Sequence, residues 1–554
     1  MRYIIIGGVA GGASAAARLR RLNEKATIIL FEKGDFISYA NCGLPYYIGD
    51  VIKERNKLFV QTAASFQTRF NIDTRVSTEV VSIDTTSKTI QAKNVKTGEL
   101  YTESYDKLIL SPGADPIKPP LPGIDSKGIF TLRNVPDTDR IKQYITNTKA
   151  KKAVIVGAGF IGLEMAENLN HLGIEVDIIE LGEQILAPVD YPIAAKAQQY
   201  LRGNGIKLHL QKSVTGFETI GEQLTVLLND GNSIKADIVI LSIGVRPDTK
   251  LAADAGLALG PSKGIAVNEF LQTSNADIYA VGDAIEFINP ITGQSIPTYL
   301  AGPANKQGRI CANNVVEGNK YKYKGAINTA IVKLFDLTIA SAGMASKHLL
   351  KAGIEHRIST THSGSHAGYY PGAKQMTIQI NFSPKDGKLL GAQAIGFDGV
   401  DKRIDVIAYV IKTGGTIYDL AEFEHAYAPP FSSAKDPINM AGFVADNIIS
   451  EKLKVFYWDE VTRLPENHQL VDVRTIQEFE KGKISNAINI PVDEIRDRLQ
   501  ELDKSKPIYI YCEAGLRGYL AHRTLRQSGF ENVFNLSGGY NTWKSCQEEK
   551  SALS

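Results

Sequence analysis

The sequence predicts an α/β chain of several domains, in which units built from strand–turn–helix repeats come first and a small, separate α/β unit comes last. Three observations carry that expectation. A β-branched strand, YIIIGGVAGG, runs through a glycine-rich turn into the helical ASAAARLRRL near the N-terminus. The same grammar returns at residues 153–166, and after about residue 450 short strands and helices start afresh. At 554 residues the chain exceeds what one hydrophobic core supports, and roughly 100 to 200 residues per domain suggests three to five domains. Its 43% hydrophobic and 22% charged residues are those of ordinary globular protein, with no apolar run near the roughly 20 residues that span a bilayer. Gly-rich sequence and the charged RLRRL stand where a secretory cleavage site would fall, so a buried strand and a cytoplasmic protein are expected. A net charge of +2 argues against a general nucleic-acid binder, and neither nucleic acid nor a membrane is expected as a partner. The four cysteines, Cys42, Cys311, Cys512 and Cys546, form no CxxC pair or zinc-spaced cluster. No metal is expected, and single reactive thiols become the question.

Each glycine-rich turn fits a phosphate. In the first, Gly7 and Gly12 occupy the outer glycine positions of GxGxxG, Val9 stands at the middle one, and Gly8, Ala10 and Gly11 complete the loop. The next strand, ATIILFEK, ends in Glu32 and Lys33, about 20 residues on, where a carboxylate accepts ribose hydroxyls. An ordinary strand–helix turn would use similar residues. The second copy, AVIVGAGFIGLEMA, has Gly157, Gly159 and Gly162 all in place, with Phe160 and Ile161 opening the helix and Glu180 ending the strand VDIIE. The helix N-terminus favours phosphate charge, and Glu180 favours NADH over NADPH because it would repel a 2′-phosphate. Neighbouring basic residues would compensate, so both nucleotides stay open.

Two dinucleotide turns imply two dinucleotides. The segment ADIYAVGDA delivers Gly282 and Asp283 from a strand and resembles the second FAD-binding motif of the disulfide-reductase flavoproteins. LILSPGADP and VILSIGVRPD resemble the strands by which that superfamily crosses between its FAD and NAD domains, so the resemblance covers residues 1 to about 320. It implies two Rossmann-like dinucleotide-binding domains, with FAD held by 1–112 and 245–320 and NAD(P)H by 113–244. It also implies cofactor contacts at Asn41, Val80, Ser111, Gly113, Arg133, Gly244 and Ala304.

The stretch ISYANCGLPYYIGD carries Cys42 alone where the glutathione-reductase branch has CxxxxC. This resembles the single-cysteine branch of NADH peroxidases, NADH oxidases and coenzyme A-disulfide reductases. There a helix N-terminus and the flavin are expected to lower the thiol pKa. Ala10 stands where the peroxidases and oxidases carry histidine, which disfavours peroxide chemistry. Similarity to the coenzyme A-disulfide reductases implies that Ser14, Arg18, Arg21, Ser38, Asn41, Arg69, Asn305 and Lys435 contact coenzyme A, the arginines serving its phosphates. Residues 325–450 resemble the family's α+β dimerisation domain, which implies a homodimer. Within it, HAGYYPGA offers Tyr369 and Tyr370, and EFEHAYAPPFSSAKDP offers Tyr427. Tyr427 and Tyr369 are the candidates to donate protons to a leaving thiolate, with His425 a lesser one. Ordinary interface tyrosines would read the same way.

From about residue 455 to 554 the order resembles an α/β rhodanese domain: Asp472-Val473-Arg474, Glu478, Gly482 to Ala487, and GGxxxW from Gly538 to Trp543. Lys483 departs from the histidine that often stands there. Cys512 opens CEAGLR, a loop whose amides can converge on a sulfur anion while Arg517 adds positive potential. The resemblance implies electron flow from NAD(P)H through FAD to coenzyme A disulfide, persulfide or polysulfide at Cys42, with Cys512 carrying sulfane sulfur. The rivals are an oxidase or peroxidase cycling Cys42 through sulfenic acid, and a redox sensor or sulfur carrier without turnover.

Overall fold

The strand Arg2–Ile6 is buried along nearly all its length, as a parallel strand covered on both faces must be. It sits at the centre of a five-stranded parallel sheet, flanked by Thr27–Phe31 and Lys107–Leu110, with Asp73–Arg75 and Ile278–Ala280 at the edges. The computed structural model describes residues 1–221 and 223–553. The chain divides into two units, Met1–Leu181 with Ile206–Asn328, and Gly182–Gly205 with Thr329–Ser554.

The first unit builds the same design twice. A second five-stranded parallel sheet centres on Lys152–Val156, paired with Glu175–Glu180 and Ile238–Leu241. Each parallel sheet is accompanied by a three-stranded antiparallel one, made of Thr78–Asp84, Thr89–Asn94 and Leu100–Ser104 in the first half and Val214–Ile220, Gln223–Leu228 and Ser233–Ala236 in the second. The crossing segments read from the sequence lie side by side: Ala114–Pro116 pairs antiparallel with Val245–Pro247, in the register Ala114 to Pro247.

The second unit contains a five-stranded antiparallel sheet spanning Ala330–Gly396, with the helices Val400–Thr413 and Pro437–Ile449 beside it in sequence. It also contains a five-stranded parallel sheet centred on Ile508–Tyr511. These are the α+β and α/β architectures the sequence suggests. Within the antiparallel unit, Arg403 and Asp436 form a fully buried ion pair at 2.7 Å. Arg403 also donates to the Ser365 carbonyl at 2.8 Å and to the Ser432 hydroxyl.

Gly182–Gly205 falls inside the 113–244 stretch that the sequence assigns to one nucleotide-binding domain, yet the structure groups it with the second unit. Its helix, Tyr191–Gly203, buries Ile193, Ala194, Ala195, Ala197 and Leu201. Its polar side chains meet the C-terminal helix Gly539–Ser551: Lys196 bonds Asn541 at 2.6 Å, Gln198 bonds Glu549 at 2.7 Å, and Arg202 pairs with the same buried carboxylate. Among the described residues no helix is long and apolar enough to cross a membrane.

Candidate active site

The first glycine turn forms because Gly7 adopts φ +97° beside the Ser111 carbonyl and Gly12 lets the helix Ala10–Leu22 press onto the turn. A Cβ on Gly12 would lie 1.9 Å from the Gly7 carbonyl oxygen. Glu32 stands at the end of the second strand and accepts from the amides of Gly8 and Gly34, each at 2.8 Å. Gly7, Glu32 and Gly34 line one cleft with Ala10, Gly11, Lys33, Asn41, Ser111, Gly113, Arg133, Gly282, Asp283 and Ala304, gathering most of the expected FAD contacts. Burial holds the Asp283 carboxyl above its usual range, and the Arg133 charge works against that rise. Asn41 Oδ1 is buried without a hydrogen-bond partner. A flavin dinucleotide fits this set: a carboxylate at the ribose end, open backbone at the turn, and an orphaned acceptor in the wall.

Three expected residues sit elsewhere. Gly8 is buried behind the turn with its amide on Glu32, Gly12 lies beneath it, and Val80 belongs to the core on Thr78–Asp84. Phe36, Tyr39 and Asp115 line the cleft without any signal in the sequence, because tertiary folding alone brings them there. Burial pushes the Tyr39 hydroxyl up to about 12.

The second turn copies the first. Gly157 has φ +102°, a Cβ on Gly162 would lie 2.1 Å from the Gly157 carbonyl oxygen, and the Ala158 amide donates to Glu180 at 2.8 Å. Gly159 caps the helix Phe160–His171 and has nothing within 4 Å of where a Cβ would stand, the open approach a pyrophosphate needs. Ile161 is exposed at this helix start, and Gly244 turns the chain with φ +113° just before Val245–Pro247.

Cys42 is exposed in the single turn Asn41–Gly43, before the five-residue helix Leu44–Ile48. Its sulfur still sits deep enough that burial, followed by the carboxylates of Glu164 and Asp283, pushes the thiol up. Only a backbone hydrogen bond at Cys42 acts in the expected lowering direction, and burial and the two carboxylates outweigh it. Glu164 itself is raised to about 7, chiefly by burial, while the Tyr46 hydroxyl at 3.4 Å opposes the rise and Glu167 adds to it.

Ser14 bonds Asn305 at 2.5 Å, and Arg18 bonds Asn313 at 2.9 Å, both across to the helix Ala301–Glu317. Arg21 is exposed at the end of the first helix, and Arg69 is exposed on Ala63–Phe70. Arg20, between the two candidate arginines, is buried and donates to the carbonyls of Phe70, Asn71, Asn23 and Glu24, so it serves the fold. Ser38 takes the left-handed φ of +46°, its amide on the Gly8 carbonyl.

In the second unit the Tyr369 and Tyr427 hydroxyls meet at 2.9 Å, and both rings are exposed. The hydrogen bond from Tyr427 pushes the Tyr369 hydroxyl up. Tyr370 packs edge-on against His366 instead. His425 holds the Ser433 carbonyl at 2.9 Å, a structural task, and Lys435 is exposed.

Cys512 is buried at the end of Ile508–Tyr511, with its Sγ accepting from the Gly515 amide at 3.0 Å. Tyr540 and Asn541 amides hold the Cys512 and Glu513 carbonyls at 2.8 and 3.0 Å, so the GGxxxW segment fixes the loop from behind. Arg517 makes a two-pronged pair with Glu478 at 2.6 and 2.7 Å and does not stand as an unpaired cation. Cys311 and Cys546 are buried, and burial pushes both thiols up.

Residues 1–308 match the pyridine nucleotide-disulphide oxidoreductase family, 329–437 match that family's dimerisation domain, and 458–546 match the rhodanese-like domain. The chain belongs to the pyridine nucleotide-disulphide oxidoreductases. It is 36% identical over 447 residues to a coenzyme A disulfide reductase of Staphylococcus haemolyticus, covering 81% of this chain and 100% of that protein. The reduced Bacillus anthracis CoADR-RHD crystal structure superposes with a TM-score of 0.97 at 48% identity, over 99% of this chain and 98% of the other. An NAD-dependent persulfide reductase from A. fulgidus gives a TM-score of 0.92 at 34% identity, over 98% of this chain and 100% of that one.

Proposed function

We propose that this protein is an FAD-dependent NAD(P)H oxidoreductase that reduces coenzyme A disulfide or coenzyme A persulfide through Cys42, with Cys512 carrying sulfane sulfur. One observation carries the first part: of four cysteines only Cys42 is exposed, and its neighbour Asn41 lines the cleft that fits a flavin. Its chemistry is therefore that of one thiol. The Cys42 thiolate attacks coenzyme A disulfide, forming a Cys42–coenzyme A mixed disulfide and releasing a coenzyme A thiolate. With the persulfide, attack at the inner sulfur releases hydrosulfide. Held in the cleft lined by Glu32, Asn41 and Asp283, FAD would supply from NAD(P)H the two electrons that return the mixed disulfide to two thiols.

Each remaining residue has a task in this reading. The carboxylates of Glu32 and Glu180 would hold ribose hydroxyls, the latter favouring NADH, and Asp283 would hold the ribityl chain. Residues 1–112 with 245–320 hold FAD, and 113–244, apart from Gly182–Gly205, hold NAD(P)H. Ser14, Arg18, Arg21 and Asn305 orient coenzyme A. The Tyr369–Tyr427 pair protonates the leaving thiolate in a cytoplasmic homodimer, the geometry of two hydroxyls in contact supporting a shared proton.

The test is anaerobic stopped-flow reduction with NADH, then mixing with coenzyme A disulfide, coenzyme A persulfide or peroxide in separate runs. Rapid flavin reoxidation by either coenzyme A species is expected, and it is lost in Cys42→Ser. Rapid reoxidation by peroxide alone overturns this reading in favour of a peroxidase.

A further inference from the structure

The turn that braces the Cys512 loop is itself held from outside the C-terminal module. The Tyr540 and Asn541 amides donate to the Cys512 and Glu513 carbonyls at 2.8 and 3.0 Å. In a trans peptide the N–H points opposite to its C=O. Holding those two carbonyls against Gly538–Thr542 therefore turns the Glu513 and Ala514 amides away from the brace, into the loop where the Gly515 amide meets Cys512 Sγ at 3.0 Å. A Cβ on Gly539 would lie 2.6 Å from the Cys512 carbonyl oxygen, so the brace rests directly on the loop backbone.

Two residues that precede this module in the chain grip the brace. Lys196, on the helix Tyr191–Gly203, donates to Asn541 Oδ1 at 2.6 Å. Burial pushes its amine down to about 8, against the pull of the Cys546 thiol and the Glu513 carboxylate, so the fold keeps a cation where it costs stability. His362 lies on Arg357–Gly364, an edge strand of the antiparallel sheet. Its Nε2 donates to the Gly538 carbonyl at 2.9 Å and stands 3.1 Å from the Thr542 hydroxyl, while its Nδ1 accepts from the Thr377 hydroxyl at 2.9 Å. Burial, helped by the Lys196 charge, pushes the imidazole down to about 3, so the ring is neutral and gives its one N–H to the brace.

We propose that Lys196 and His362 are positioning residues for sulfur loading at Cys512, setting the amides of its loop through the Gly538–Thr542 turn. This rests on the reading of Cys512 as a sulfur carrier. Lys196 acts on Glu513 through Asn541, and His362 acts on Cys512 through Gly538 and Tyr540. The cradle is thus completed by a mid-chain helix and by the antiparallel sheet. With glutathione persulfide as the probe, the Cys512 thiolate attacks the outer sulfur, the S–S bond of the probe breaks, and glutathione leaves as its thiolate. The Cys512 persulfide then loses its proton to water, and the loop amides hold the anion.

The experiment is timed loading of the full-length FAD holoenzyme at saturating glutathione persulfide, followed by alkylation and mass spectrometry of the peptide that carries Cys512. Lys196→Met removes the amine and keeps an unbranched stem, so Tm should hold or rise while the loading rate falls about tenfold, the scale of one hydrogen bond to a charged group. Asn541→Leu should fall as far, and the double variant no further, because both lie on one route. His362→Leu should also load about tenfold more slowly, and His362→Gln, whose amide N–H can reach the same carbonyl, should recover most of the rate. Loading that falls only in step with Tm across the set overturns the proposal, and so does wild-type loading in Lys196→Met and His362→Leu. Absence of loading in the unaltered protein overturns it together with the carrier reading. NADH-driven reduction of coenzyme A disulfide, which needs Cys42 and not Cys512, shows separately whether the reductase reading stands.

Discussion

Tyr369 and Tyr427 share a hydrogen bond between hydroxyls, so each is the other's nearest polar partner and neither substitution is silent. Tyr427→Phe should lower kcat about a hundredfold or more, as loss of a proton donor does. It should also move the alkaline limb of the pH profile to lower pH, because the bond that raises Tyr369 is removed. A profile that keeps its shape would assign the pair to the interface alone. Glu164 gives a second test at this scale. Burial raises its carboxyl to about 7, so the folded state holds a proton the unfolded chain has released, and stability falls as pH rises from the unfolded value toward 7. Glu164→Gln should therefore raise Tm more at pH 8 than at pH 5. It should also shift alkylation of Cys42 to lower pH, since one carboxylate opposing the thiolate is gone. Cys42, Cys512 and both glycine turns were legible in the sequence because their chemistry is set by near neighbours in the chain. The sequence named Arg18 and Arg21 but gave Arg20 no role, because only the approach of Ala63–Phe70 shows that this arginine is buried and holds the Phe70 carbonyl. Glu478 was recognised as a motif residue, but its hold on Arg517 depends on a fold that brings two segments together.

At the scale of elements the two nucleotide turns offer a paired comparison. Gly159→Ala places its methyl in open space, so Tm should stay while the KM for NADH rises. Gly162→Ala drives a methyl against the Gly157 carbonyl and should cost about 1–3 kcal/mol in unfolding free energy as well as nucleotide affinity. If both variants lose stability equally, the openness at Gly159 has no role in binding. The strands of both parallel sheets were readable as apolar runs ending in glycine. The helix Tyr191–Gly203 reads as an ordinary amphipathic helix of its surroundings, and nothing local marks that its face belongs with the second unit.

Over the second unit as a whole, Arg403 links the two segments that carry the tyrosines. It binds the Ser365 carbonyl just before Tyr369 and Asp436 just after Tyr427, and the Ala367 amide meets the Ser432 carbonyl directly at 3.0 Å. Asp436→Asn leaves a buried guanidinium without its counter-charge and should cost about 3–5 kcal/mol, measured by denaturant unfolding, with a matching fall in kcat. The helix Tyr191–Gly203 has a different consequence. Glu549 in the last helix is buried against Gln198 and Arg202, residues that precede it by some three hundred and fifty positions. Were a lineage to lose the C-terminal module by a stop codon, Tyr191 and Ala195 of this mid-chain helix would lose their packing against Cys546 and Trp458 and face water. Retention of the fusion is thus favoured by a helix encoded far upstream of it, whatever selection acts on sulfur chemistry.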